Sequence, residues 1–214
     1  MTNAALARAV AAEIAWDPRV GGAKVEVSAG GGVVTLRGWV GSYRQKQEAR
    51  RAAERVHGVT YVDNDLDVRV PHPRSDAGLL GDVLMALVLD DLVPDTVHAQ
   101  VTGAVVRLTG TAGWQYQRDE AELVAGNVHG VVDVENEIYL TTPAAYAGDV
   151  RAAIVRALER DARIDARDVG VRTLNGTVVL TGRVRSCAER DSVVAAAWSA
   201  PGVNRVDDRL EVSY

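Results

Sequence analysis

Val33-Val34-Thr35-Leu36-Arg37-Gly38 decides the fold, because the chain says it again as Val105-Val106-Arg107-Leu108-Thr109-Gly110 and as Thr177-Val178-Val179-Leu180-Thr181-Gly182. The closing glycines stand at 38, 110 and 182, two steps of 72 residues. The same step relates His57-Gly58-Val59, His129-Gly130-Val131 and Pro201-Gly202-Val203, then Asn64, Asn136 and Asp208, then Leu66, Ile138 and Leu210. Self-similarity at a fixed period marks one structural unit copied along the chain. Three copies, at 1–72, 73–144 and 145–214, account for the 214 residues.

On either side of the quoted stretch, Val25 and Val27 alternate with Lys24, Glu26 and Ser28, and Val34, Leu36 and Val40 share one parity beyond Gly30-Gly31-Gly32. This alternation predicts a hairpin with one apolar face. Asn175-Gly176 in the third copy is a strong two-residue turn signal, since both residue types tolerate positive φ. A glycine-rich loop also suits phosphate, but that requires a helix N-terminus directly after it, and here a strand follows. Gly38, Gly110 and Gly182 lie on the inward parity of the second strand, where glycine weakens pairing unless a bulge or close approach demands it. Close packing of the following helix is the expected reason.

Leu6, Val10 and Ile14, then Leu79, Val83 and Leu87, then Val150, Ile154 and Leu158 recur at helical spacing and predict an amphipathic helix opening each unit. Asp17-Pro18, Asp90-Asp91 and Asp161 end these helices. A second helix starts at Ser42 or Ser186, followed three residues on by Gln45 or Glu189, the spacing of a capping box; copy two departs, with Trp114 there. Ala49, Ala52, Ala53 and Val56 form its inward stripe, and Gly58, Gly130 and Gly202 supply the left-handed terminator. The final strand alternates Val62, Asn64, Leu66 and Val68 with Tyr61, Asp63, Asp65 and Asp67. Asn64 faces inward and is expected to bond a nearby turn backbone, because buried amides are seldom left unpaired. Strand, helix, strand makes the second and third strands parallel, and the hairpin makes the first and second antiparallel. The fold class is therefore α+β: three tandem αββαβ units, each a three-stranded mixed sheet with two helices on one face. Pro71-His72-Pro73-Arg74-Ser75 and Thr141-Thr142-Pro143-Ala144-Ala145 read as linkers.

This order of elements, with V-x-L-x-G closing the hairpin, x-G-V after the second helix and V-x-N-x-L in the last strand, resembles the BON domain over nearly the whole chain. Ile14-Ala15-Trp16-Asp17-Pro18, Trp114-Gln115-Tyr116-Gln117-Arg118 and Ala197-Trp198-Ser199-Ala200-Pro201-Gly202-Val203 resemble the soluble bacterial proteins made of three such domains. The resemblance implies an interaction module without a shared catalytic motif, in a stress or envelope-maintenance setting. It also implies two narrower alternatives. Some relatives bind anionic phospholipid, for which the basic second helix of copy one, with Arg44, Lys46, Arg50, Arg51 and Arg55, is the candidate, although Glu48 and Glu54 are placed to pair with Arg44 and Arg50. Some relatives that combine the domain with another module sense potassium, which points to the acidic turns Asp90, Asp91, Asp95 and Asp161, Asp165, Asp168.

Composition bounds the rest. With 47% hydrophobic and 25% charged residues the chain is an ordinary globular protein. Met1 to Val20 holds no apolar run before a cleavage site, and no segment approaches the ~18 apolar residues of a membrane span, so the cytoplasm is the expected compartment. Cys187 stands alone, which excludes internal disulfides and multi-thiolate metal sites. The four histidines have no ligand spacing and no serine sits in a nucleophile elbow. No enzyme activity, cofactor, metal, nucleic acid or small-molecule substrate is expected.

What remains is surface. With helices on one side, Thr35, Arg37, Trp39, Arg107, Thr109, Glu135 and Tyr139 form open sheet faces on which Trp39 and Tyr139 mark a contact with a protein partner or a second copy. Trp16, Trp114 and Trp198 are expected in core or inter-unit packing, with a ligand role as the alternative. The units carry formal charges of +2, −8 and +1, from 10 basic against 8 acidic residues, 3 against 11, and 11 against 10. Assembly is therefore expected to be partly electrostatic and centred on Asp133, Glu135 and Glu137.

Overall fold

The inward stripe Leu6, Val10 and Ile14 is buried along α1 (Asn3–Trp16), whose cap is the Thr2 hydroxyl accepting from the Ala5 N–H. The structure, a computed structural model, describes residues 1–141, 149–162 and 164–213. After α1 come β1 (Lys24–Gly30), β2 (Val33–Val40), α2 (Tyr43–Glu54) and β3 (Tyr61–Val68). The second unit holds α3 (Asp76–Val88), β4 (Val97–Thr102), β5 (Val105–Ala112), α4 (Gln115–Gly126), β6 (Asp133–Asn136) and β7 (Tyr139–Leu140). The third holds α5 (Val150–Arg160), β8 (Val169–Leu174), β9 (Thr177–Val184), α6 (Cys187–Trp198) and β10 (Arg205–Val212). In each sheet the middle strand pairs antiparallel with the strand before it and parallel with the strand after the crossover helix. The protein is thus α+β, built of αββαβ units with mixed three-stranded sheets. In the second unit the third strand is interrupted after Asn136, and the chain rejoins β5 only as β7; Ile138 N–H donates to Asn136 Oδ1 at 3.3 Å, as Leu210 N–H does to Asp208 Oδ1 in the unbroken β10.

Each hairpin closes through two residues. The pairs Gly30–Val33, Thr102–Val105 and Leu174–Thr177 enclose Gly31-Gly32 (φ 59° and 88°), Gly103-Ala104 (60° and 64°) and Asn175-Gly176 (50° and 77°). Positive φ at both positions is the two-residue geometry that matches strand twist, so Gly30 belongs to the strand and not to the turn. The second turn residue then accepts from the start of the last strand: Gly32 O from Thr60 N–H at 2.9 Å, Ala104 O from Val132 N–H at 3.0 Å, and Gly176 O from Asn204 N–H at 2.9 Å.

Gly38, Gly110 and Gly182 have φ of 116°, 113° and 118°. A Cβ on them would fall on the carbonyl oxygens of Lys24, Thr96 and Asp168. The glycine is therefore required by the backbone at the start of the hairpin, and the expected cause, close packing of the second helix, is corrected. A second correction concerns Asn64. Its Nδ2 donates to the Lys46 carbonyl inside α2 at 2.9 Å, and Asn136 Nδ2 donates to the Arg118 carbonyl of α4 at 2.9 Å, so a helix and not a turn is the partner. In the third unit Asp208, which cannot donate as a carboxylate, instead accepts from Arg190 Nε at 2.7 Å. Residues 46, 118 and 190 keep the 72-residue step. The caps are displaced boxes: Ser42 accepts from Gln45 N–H, while the Gln45 side chain reaches back to Gly41 N–H, one residue before the cap. Ser186 and Glu189 do the same with Arg185 N–H.

The third unit's core gathers Ile154, Leu158, Val171, Leu180 and Val193, with Trp198 against its edge. Trp114 is half-buried, but Trp16 is 83% exposed, which corrects its expected packing: as the last residue of α1 it lies on the opposite side of the helix from the Ile14 stripe. By contact density the described chain falls into two bodies, one holding Met1–Ala112 with Gln117–Tyr139, the other Gly113–Tyr116 with the chain from Leu140 on. Of the second expected linker only Thr141 lies within the described residues. No helix among the described residues is long and apolar enough to cross a membrane.

Gly38→Ala sets a Cβ against the Lys24 carbonyl and forces an L-residue to positive φ, so urea denaturation should show a loss of about 2–4 kcal/mol. Gly30→Ala, with nothing within 4 Å of its Cβ, should stay within about 0.5 kcal/mol of wild type.

Candidate interaction site

The basic side of α2 is largely neutralised within the first unit. Glu48 is fully buried on that helix and is surrounded by Arg44 at 2.9 Å, Arg51 at 2.9 Å and Arg19 at 2.7 Å. The Arg19 contact is an ion pair without hydrogen-bond alignment. Arg50 pairs with Glu54 at 2.8 Å, and Arg55 bridges Glu13 at 2.9 Å and Asp17 at 2.8 Å. Asp17 also receives Arg19 at 2.7 Å, and its carboxyl is held well below the ordinary range, first by the Arg19 hydrogen bond and then by Arg55. Of the five basic candidates, Arg44, Arg50, Arg51 and Arg55 are thus in ion pairs, leaving Lys46.

α2 faces α4 across a cavity of about 270 Å³ lined by Tyr43, Arg44, Arg51, Glu122, Gly126 and Asn127. Tyr43 is buried there, its hydroxyl donating to Glu122 Oε1 at 3.0 Å. Burial, reinforced by the Glu122 charge, raises its phenol well above the usual range. The Tyr43 ring lies where a Cβ on Gly126 would stand, the nearest ring carbon apart from Cδ1 being Cε1 at 2.7 Å. Glu122 continues to Asn136 Nδ2 at 3.2 Å, joining this seam to the polar residue under β6. Sequence reasoning missed the pair. Its signal was a break in the repeat: the positions equivalent to Tyr43 are Gln115 and Cys187, and those equivalent to Gly126 are Glu54 and Trp198.

On the sheet face Trp39 is half-buried between Lys24 and Arg69, whose charges stand 5.9 and 5.8 Å from its ring centre. That arrangement is a cation–π clamp within the unit. Arg37 reaches Asp65 at 3.5 Å. Glu135 and Glu137 share Arg107 at 2.8 and 3.7 Å, and Asp133 caps its own neighbour by accepting from Val134 N–H. Tyr139 is 75% exposed; Val33 and Tyr61, register partners on β2 and β3, are also exposed. Gly58, Gly130 and Gly202 take φ of 98°, 107° and 92°, but they lie past the helix ends at Glu54, Gly126 and Trp198, in turns closed by Val59 N–H on Val56 O, Val131 N–H on Val128 O and Val203 N–H on Ala200 O, so they shape those turns and are not the helix terminators expected. Among the described residues no group of three or more His, Cys, Asp or Glu is gathered to hold a metal ion. Cys187 is buried.

Three copies of one fold with these recurring contacts are matched by the family model described as "BON domain", at residues 2–70, 75–141 and 147–214. The chain belongs to the BON family. Osmotically-inducible protein Y of Escherichia coli (strain K12) is 35% identical over 145 residues, 64% of this chain and 72% of that protein. Among solved structures, CdsD, a structural protein of the type III secretion system of Chlamydia trachomatis, aligns with 98% of this BON chain and 92% of its own at 16% identity and a TM-score of 0.28. A structure of the C-terminal domain of CdsD gives the same identity and score over 100% of both chains. At that score the likeness carries no argument.

Asp17 has a depressed folded-state pKa, so its contribution to stability is present above the ordinary carboxylate value of about 4 and is lost as pH falls below it. Asp17→Asn should therefore melt below wild type at pH 7, with the gap closing steadily on acidification below pH ~4. Parallel melting curves down to the acid transition would show that the Arg19 and Arg55 pairs contribute nothing.

Proposed function

We propose that this BON protein acts without catalysis, by binding protein partners or further copies of itself, in the osmotic-stress setting to which the name of its Escherichia coli relative points, with the cytoplasm as its compartment. The observation that carries this reading is the exposure of large side chains on the sheet faces opposite the helices, Val33 and Tyr61 in the first unit's sheet and Tyr139 in the second's. Large side chains uncovered on such a face are more consistent with contact than with solvent. The units taken at 1–72, 73–144 and 145–214 would each present one such face. The phospholipid alternative is weakened by the ion pairs along α2: a bilayer would meet Lys46 and a set of arginines already held by Glu48, Glu54, Glu13 and Asp17. The potassium alternative finds no gathered carboxylates among the described residues. The acidic assembly centre is narrowed in the same way, since Glu135 and Glu137 already share Arg107.

A photo-crosslinking residue placed in turn at 61 and 139 of the full chain, in cells under osmotic upshift, should give protein adducts, and at the buried control position 36 none. Sedimentation velocity on Tyr61→Ser with Tyr139→Ser distinguishes the two kinds of partner, self-association falling if the adducts are copies of the chain. No protein adduct at either position, together with flotation of the chain on anionic vesicles, would replace this reading with the lipid one.

A further inference from the structure

α3 is apolar on its outward side as well as its inward one, interrupted only by Asp76 in its first turn and by Asp82. Leu79, Val83 and Leu87 are buried against the unit, while Leu84, Met85 and Val88, continued past the helix end by Leu89 and Leu92, are exposed. Val88 is 81% and Leu89 74% exposed, and Gly81 on the same side has nothing within 4 Å of its Cβ position. A helix whose outward side is as apolar as its buried stripe is one that becomes covered. The fold does not demand this face. By the 72-residue step, Leu84, Met85 and Val88 correspond to Ala12, Glu13 and Trp16 in α1 and to Arg156, Ala157 and Arg160 in α5, so two units build the same helix with a different exterior.

Charge decides what covers it. Asp90, Asp91 and Asp95 follow the helix end among Leu89, Leu92 and Val93, where the last carbonyls of α3 add negative potential. The Asp90 carboxylate accepts from Leu92 N–H at 2.9 Å, and among the described residues no basic side chain pairs with the three. Asp82 borders the face on the Met85 side and is paired with Arg74. The surrounding unit, 73–144, carries the formal charge of −8 from 3 basic and 11 acidic residues. An anionic bilayer would be repelled by this rim, and a second copy laid on the face would bring its own acids against it. We infer that the exposed face of α3 docks a helix of a partner protein, one whose own apolar stripe is flanked by lysine or arginine. This rests on the protein-binding role proposed above and assigns it a surface separate from the sheet faces.

The test uses the full chain and a fluorescent Leu/Lys amphipathic peptide of about 18 residues, long enough to fold as a helix on binding. Its Leu/Glu counterpart should bind at least tenfold more weakly. Val88→Ser with Leu89→Ser should weaken Leu/Lys binding about tenfold, and Asp91→Asn with Asp95→Asn about threefold with a flatter salt dependence. Asp63→Asn with Asp67→Asn removes the same charge from β3 and should leave binding unchanged. All these positions are exposed, so melting curves should stay near wild type. Equal binding of the two peptides, or serine variants that bind like wild type, would overturn the inference. A dimer dissolved by the serine variants would assign the face to a second copy, and flotation on anionic vesicles abolished by them would assign it to a bilayer; either result also overturns it. If crosslinks form at 61 or 139 while the Leu/Lys peptide does not bind, the α3 assignment alone fails. Absence of both removes the protein-binding role with it.

Discussion

Each unit hangs on a middle strand that must let a neighbouring carbonyl oxygen into the space a side chain would occupy. At Gly38, Gly110 and Gly182 the oxygens of Lys24, Thr96 and Asp168 stand where a Cβ would be, and φ lies near +115° in all three. The kink comes where the hairpin's first strand begins and just before the crossover helix leaves. Only glycine accepts that backbone without strain, which explains why the most regular feature of the repeat is also its smallest residue.

Around this frame the units solve their polar problems by the same geometry with different chemistry. The residue at 64, 136 or 208 points under the crossover helix and meets residue 46, 118 or 190. An amide donates to a backbone carbonyl; a carboxylate needs a guanidinium. The first unit adds a buried acid, Glu48, which would be costly alone and is tolerated because three arginines converge on it. The consequence for function is direct: a helix that reads as a cationic surface in one dimension is close to neutral in three.

Divergence among the copies is concentrated on exteriors. α1, α3 and α5 bury equivalent stripes, yet their outward positions are Ala12, Glu13 and Trp16 in the first, all apolar in the second, and Arg156, Ala157 and Arg160 in the third. Copying a unit preserves the core, where volume and parity are constrained, and leaves the outer faces to vary. The Tyr43–Gly126 contact shows the same logic at a seam, with a large ring in one copy fitted to a missing Cβ in the next.

The sequence by itself determined the period, the αββαβ order, the mixed sheets, the inward stripes and the positive-φ turns, because each is written within a few residues: alternation for strands, three-to-four spacing for helices, Asn-Gly for a tight hairpin. Trp16 shows the limit of that code, since an aromatic residue at a helix end carries no local mark of whether it points inward. Only the tertiary structure decided why Gly38 must be glycine, that Asn64 answers to a helix carbonyl, that Arg55 joins Glu13 and Asp17, and that Tyr43 sits on Gly126. These contacts join residues between 14 and 83 positions apart. Their partners are chosen by where the folded backbone brings side chains together, and no periodicity in the chain records that.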